Sequence, residues 1–327
     1  MRANLRPMSL GEILDRTFEI YRARFLVFAG IAALPALAMM AIELANAFWW
    51  RLHLEDAERI IFRFTIGDLI SMLAFYQISL FLHILVWPSL AYVTSKSCFG
   101  EQATLSSAFL DCIDRWKGWL SIAVALWTAA LLLPELLDFG LLAGIGYLRD
   151  ALKLDSPTLD KSAPFITIIA SWALMLALGA PLLLGIPAWT LERMSVRSAL
   201  LRSWKLSRGR RSRIVFVRIL SPVLGWFLNY VLVLLPFLLF AMLLRGVGGR
   251  WFFYRHLLGI NFVAALAASS LAGPIFPIAL TLFYYDQRIR REGYDIERMM
   301  EAAGLNPAVT LSSGDAPAAS GAEELPA

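Results

Sequence analysis

The sequence predicts an all-α polytopic membrane protein, six transmembrane helices built as three parallel repeats of one interfacial amphipathic helix plus two spans. Composition is the first observation. Of 327 residues, 59% are hydrophobic and 17% charged, and the mean hydropathy is +0.64, too apolar for a soluble chain of this length. A recurring pattern is the second, at Ser9 to Phe25 (SLGEILDRTFEIYRARF), Thr104 to Leu120 (TLSSAFLDCIDRWKGWL) and Ser195 to Arg211 (SVRSALLRSWKLSRGRR). Stacked by position, Leu10, Leu105 and Val196 coincide, as do Ile13, Ala108 and Ala199, and Phe18, Ile113 and Trp204. Proline spacing is the third. Pro35 and Pro88 are 53 residues apart, Pro134 and Pro187 again 53, and Pro236 and Pro277 only 41, as if the third unit had lost part of an outer loop.

Each unit, about 8–95, 103–192 and 194–286, opens with a hydroxyl residue where a helix N-cap is needed. In the first, Ser9 and Glu12 have capping-box spacing, and Leu10, Ile13, Leu14, Thr17, Phe18, Tyr21 and Phe25 form one stripe. Leu105, Ala108, Phe109, Cys112, Ile113 and Trp116 repeat the stripe, and Val196, Ala199, Leu200, Ser203 and Trp204 repeat it again. Such helices lie in the membrane interface. The spans expected to follow them are Phe25 to Trp50, Leu69 to Val93, Trp119 to Leu137, Phe165 to Leu191, Ile214 to Leu244 and Leu257 to Tyr285, each near the roughly 20 residues a bilayer core requires. Residues 1–300 are expected to form the six-span membrane domain, 287–304 a charged cytoplasmic helical segment at its end, and 305–327 a disordered tail of Ala, Ser, Gly and Pro that cannot bury enough surface to order itself.

Charge sets the expected orientation. Twenty Lys and Arg residues flank the side that holds the N-terminus, 96–117, 193–213 and 288–298, against nine on the other side. Both termini are therefore expected on the cytoplasmic side of the membrane. The net charge of +5 then faces anionic head groups, and nucleic acid explains it poorly. Ala45-Asn46-Ala47 resembles a signal-peptidase site, but the apolar run before it is long and contains Glu43, which favours a retained span. Cys98 and Cys112 fall on the cytoplasmic side, where packing is the expected role.

Arg193, Arg197, Arg202, Lys205, Arg208, Arg210, Arg211 and Arg213 form the densest basic stretch; the first seven are the expected contacts for anionic lipid, although topology alone also explains them. Glu43, Asp68, His83, Glu135, Asp138, Arg218, Asn229 and Asn261 are the polar residues in or beside spans; His83 and Asn229 lie deepest, and an interhelical hydrogen bond is favoured for His83 over a proton relay. Pro35, Pro88, Pro134, Pro187, Pro236 and Pro277 are expected helix breaks, read as shared kinks ahead of a ligand site. Gly140 and Gly144 have the spacing of a close helix approach. His53, Glu55 and Asp56 carry metal-donor atoms but read as an ordinary solvated loop. Signatures for a nucleophile elbow, a phosphate loop or a zinc protease are missing, so no catalytic residue, metal or cofactor is assigned.

Three stretches, RPMSLGEILDRTFEIYRARF at Arg6 to Phe25, SALLRSWKLSRGR at Ser198 to Arg210 and YYDQRIRREGYD at Tyr284 to Asp295, together resemble the bacterial family called glycerophosphoryl diester phosphodiesterase membrane domain. The likeness extends over nearly the whole chain to about residue 300. It implies a bacterial inner-membrane protein whose membrane region, in that family, precedes a soluble phosphodiesterase domain holding the chemistry. The tail after the last span is too short for such a barrel of about 250 residues, so no catalytic residue carries over. A non-enzymatic membrane protein that handles lipid or organises partner membrane proteins, or a second copy of itself, is therefore expected. A transporter of a small or amphiphilic solute, with its site at the proline breaks around the pseudo-threefold axis, is the alternative. A membrane-embedded enzyme acting on lipid phosphates ranks third.

Overall fold

The computed structural model describes residues 6–53, 66–152, 157–243 and 263–302, which are helical with no strand. Asn261, Glu55, Asp56 and the 305–327 tail lie outside them, as do the side chains of Glu43 and His53. Helix α1 (Leu10–Ala23) begins where Ser9 Oγ accepts the Glu12 N–H at 3.2 Å and the Glu12 carboxylate accepts the Ser9 N–H at 2.6 Å. Thr104 and Ser107 cap α4 (Leu105–Asp114) in the same reciprocal way, and Ser195 accepts the Ser198 N–H at 3.3 Å ahead of α9 (Val196–Ser207). These bonds satisfy amides that a helix start leaves without carbonyl partners.

Each capped helix then turns into a longer one. The turn at Arg24 leads to α2 (Phe25–His53), followed by α3 (Ile66–Cys98). That at Arg115 leads to α5 (Trp116–Trp127), a π-helical turn at Thr128–Leu132 and α6 (Leu133–Ala151), then α7 (Pro157–Leu183) and α8 (Gly185–Glu192). A third turn, with Gly209 at φ +75°, leads to α10 (Arg211–Leu243), then α11 (263–272), α12 (Ile275–Glu292) and α13 (Tyr294–Ala302). Among the described residues, five stretches are long and apolar enough to cross a membrane: Phe25–Ile42, Gln77–Cys98, Phe165–Glu192, Arg211–Pro236 and Val263–Glu292. The expected span at Trp119 to Leu137 is divided among α5, the π turn and an α6 that carries Glu135, Asp138, Arg149 and Asp150.

The prolines do not act alike. Pro35, Pro88 and Pro236 lie inside α2, α3 and α10, which continue through them, a correction to their expected role as breaks. Pro134 follows the π turn, where the Leu133 N–H reaches back to the Thr128 carbonyl; the wider turn accommodates a proline that has no N–H to give. Pro187 and Pro277 stand third in α8 and α12, where a missing N–H costs little. The breaks themselves precede them, at Leu184 and at Gly273-Pro274. Among the described residues Gly140 and Gly144 make no close approach, since a Cβ on either would meet nothing there within 4 Å. Gly118 does: a Cβ there would stand 2.9 Å from the Trp189 ring nitrogen, so even alanine would force that indole to move.

Helices α3, α8 and α12 meet at the centre, where Leu90, Ile186, Ile278 and Tyr284 are at most 1% exposed. The capped helices α4 and α9 pack on helices from the part of the chain just before them, α4 on α3 and α9 on α7 and α8, while α1 packs on α12 near the other end of the described chain, which closes the circle. Helix α10 is peripheral. Its membrane-length stretch is 6% buried against 56% for Val263–Glu292, leaving Phe216, Val223, Trp226, Phe227 and Tyr230 facing outward. Outside a membrane such a face would be unstable; among acyl chains it is matched to its solvent.

Candidate functional site

At the basic end of the bundle, the stretch Tyr284 to Asp295 acts as a clamp. Asp286 is fully buried; it accepts the Met8 N–H at 2.8 Å and the Arg290 guanidinium at 2.9 Å, while Arg290 also donates to the Met8 carbonyl at 2.8 Å. The approach to α1 is thus held by both of its backbone groups. The Tyr285 hydroxyl meets Ser95 Oγ of α3 at 2.8 Å. Arg291 donates to the Lys205 and Arg208 carbonyls at the end of α9, whose last turn has no helical donors for them. Tyr284 donates to Glu192 of α8, and Arg288 lies 3.9 Å from the Tyr294 ring centroid. Gly293, at φ +66°, ends α12 in the left-handed conformation that glycine adopts without strain.

Part of the basic stretch 193–213 is already engaged, through Arg193, Arg202 and Arg211. Arg202 pairs with Glu192 at 2.8 Å and Glu292 at 2.7 Å, with 27% of its side chain exposed, so it ties α9 to α8 and α12. This corrects the expectation that Arg202 contacts lipid. Arg193, which caps α8 at φ +50°, bonds Asp111 at 2.9 Å, and Arg211 lies 4.7 Å from the Trp204 ring centroid. Arg210 is half-buried. Arg197, Lys205 and Arg208 differ: they are exposed, and among the described residues no ion pair holds their side chains. With Leu201 and Trp204, 57% and 40% exposed, they form the outer face of α9. Apolar side chains interleaved with cations on one helix face suit the boundary between acyl chains and phosphates.

The intramembrane polar residues separate. Glu135 is half-buried near the π turn, where the Pro134 carbonyl accepts from Ser171 at 3.2 Å. His83 and Asn229 come together on one cavity, and so does Arg218, which the sequence placed near a span end. His83 Nδ1 donates to the Ser79 carbonyl at 2.7 Å, because that carbonyl can only accept; Nε2 meets Ser269 Oγ at 3.3 Å across to α11. Of the cysteines, Cys112 is fully buried with its sulfur 3.4 Å from Ser89 Oγ, and burial pushes its thiol up to about 11. Among the described residues no group of three or more His, Cys, Asp or Glu side chains could hold a metal.

Residues 158–300 match the family model described as the membrane domain of glycerophosphoryl diester phosphodiesterase. The stretches Ser198 to Arg210 and Tyr284 to Asp295 fall inside the match, and Arg6 to Phe25 falls outside it. No curated protein and no solved structure matches the chain.

Proposed function

We propose that the chain is a non-enzymatic bacterial inner-membrane protein of six spans in three parallel repeats, both termini cytoplasmic, that holds anionic lipid at its basic rim. One observation carries the reading: Arg197, Lys205 and Arg208 stand exposed beside Leu201 and Trp204 while the neighbouring Arg202 is consumed by acids. A cation near an anionic surface contributes about 1 kcal/mol, so three together distinguish anionic from zwitterionic lipid strongly. Support for the repeats comes from the hydroxyl cap ahead of α1, α4 and α9 and from the circular packing of those helices on α12, α3 and α8. The non-enzymatic reading draws on the clamp, whose charged residues are occupied in holding helices together.

Native mass spectrometry in mixed micelles tests it. R197Q/K205Q/R208Q is expected to retain several-fold less phosphatidylglycerol than the parent and the same phosphatidylcholine. Equal retention of phosphatidylglycerol by a folded triple variant removes the rim as a lipid site. We favour this reading over an axial transporter site because, among the described residues, the place where α3, α8 and α12 meet is packed with Leu90, Ile186 and Ile278.

A further inference from the structure

A cavity of about 430 Å³ lies between α2, α3, α10 and α11. Along α10 its wall is Arg218, Pro222, Gly225 and Asn229, and along α3 it is Phe75, Ser79, His83 and Trp87, successive residues about one turn apart. Ala265, Ala268 and Ala272 on α11 are too small to fill the space, and Met39 and Met40 line it from α2. Arg218 and Asn229, the two ends of the α10 wall, lie about 16 Å apart along the helix axis. Among the described residues, Trp226 marks the mouth. Its indole lines the cavity, is 63% exposed and packs edge-on against Trp172 of α7, ring centroids 6.0 Å apart. Trp226 lies twelve residues past Ile214, where the apolar run of α10 begins. That is about 18 Å along the helix, so the mouth opens well inside a hydrocarbon core about 30 Å thick.

The ionisable groups of the described lining, His83 and Arg218, are already committed. His83 is held by the Ser79 carbonyl at 2.7 Å and the Ser269 hydroxyl at 3.3 Å. Arg218, three turns from Asn229, already has partners, the rings of Trp87 and Phe276 among them. Asn229 differs: no hydrogen bond holds its amide among the described residues, and it stands one turn past Trp226 at the mouth. We propose that this cavity binds a single-chain amphiphile with an uncharged hydroxyl head, of the monoacylglycerol kind, its head at Asn229 and its chain running past Met39, Met40 and Ile84 toward Trp87. A charged head would have to cross hydrocarbon to reach this mouth, at a cost that a hydroxyl head largely avoids. An amide both donates and accepts, so Asn229 can meet a hydroxyl in either role. Beyond it the walls are thioether, aromatic and aliphatic, the chemistry of an acyl chain. The volume lies at the small end of the roughly 300–1,000 Å³ range of ligand pockets, which favours one chain over two.

Photolabelling of the full chain in phosphatidylcholine nanodiscs tests this, with a diazirine-bearing monoacylglycerol as the probe. Label is expected on Met39, Met40 or Phe75. Unlabelled monoacylglycerol should displace it about tenfold or more better than lysophosphatidic acid of equal chain length at the same mole fraction in the bilayer. G225L, which fills the cavity, should abolish this label; a Cβ at position 225 meets only Ala272, at 3.7 Å, so the new side chain has room to begin. N229L, similar in volume, should weaken labelling several-fold, as the loss of one hydrogen bond does. R197Q/K205Q/R208Q alters the rim and not the cavity, so it should leave the label unchanged, and the two sites are tested separately. Displacement by lysophosphatidic acid equal to that by monoacylglycerol overturns the proposal, as does unchanged label in folded G225L or N229L. Label confined to other helices, or lost in the rim variant, overturns it too.

Discussion

Helices α1 and α9 are built alike and used differently. Each has a serine N-cap, each buries one face on a long helix, and each is tied to the stretch that begins at Tyr284. On α1, Glu12 and Glu19 answer Arg6 and Arg16, so much of its charge is paired, and Asp15 adds a further acid to the exposed face. Helix α9 contains no acid at all. Glu192 and Glu292, its acidic partners, come from α8 and α12 and take up Arg202, leaving Arg197, Lys205 and Arg208 outward. The difference separates two settings of arginine that look identical in sequence: a strut where a carboxylate from another helix meets it, and an outward cation, the proposed lipid contact, where none does.

Removing the struts should have the largest effect. D286A leaves the Met8 N–H and Arg290 without their acceptor and is expected to cost about 3 kcal/mol, the lower end for breaking a buried pair because Arg290 is partly exposed. A lower melting temperature and early protease cleavage at the start of α1 are the readouts; unchanged values would mean that the clamp does not hold α1. E192Q should loosen α9 less, by about 1–2 kcal/mol, since Arg202 keeps Glu292 and the group is partly solvated. R197Q/K205Q/R208Q should shift stability by no more than about 0.5 kcal/mol, as ordinary surface changes do. A large loss of stability there would make the outer cations struts as well and erase the contrast with α1. Smallest is the effect at Cys112 of α4. Its raised thiol keeps thiolate scarce at pH 8, so maleimide should label it only after unfolding. The shifted thiol stabilises the fold below about pH 8.5 and loses that contribution as pH rises toward 11. Labelling of the native chain at pH 8 would contradict its burial.

Local chemistry was readable in the sequence. Ser9, Thr104 and Ser195 announce their helices because a cap bonds within three residues, and Ile13, Ala108 and Ala199, aligned by the repeat, are all fully buried. Partners distant along the chain were not readable. Nothing near Arg202 announces Glu292, ninety residues away, and nothing near Met8 announces Asp286. The cavity was half visible: His83 and Asn229 stood out singly, but Arg218 joins them only when Arg218, Pro222, Gly225 and Asn229 are read as one face of α10. Prolines misled for a physical reason. A long helix held by its neighbours absorbs Pro35 or Pro88 at the loss of one hydrogen bond, whereas the actual breaks fall where a turn precedes the proline, at Leu184 and Gly273.

A photo-crosslinking residue placed at Leu201 on α9 or at Phe18 on α1, both exposed apolar positions, compares the two helices directly in membranes containing clickable phosphatidylglycerol and phosphatidylcholine. Several-fold enrichment of phosphatidylglycerol at position 201, with none at position 18, is the predicted result. Equal labelling of the two lipids at position 201 would contradict the assignment of the outer face of α9 to anionic lipid.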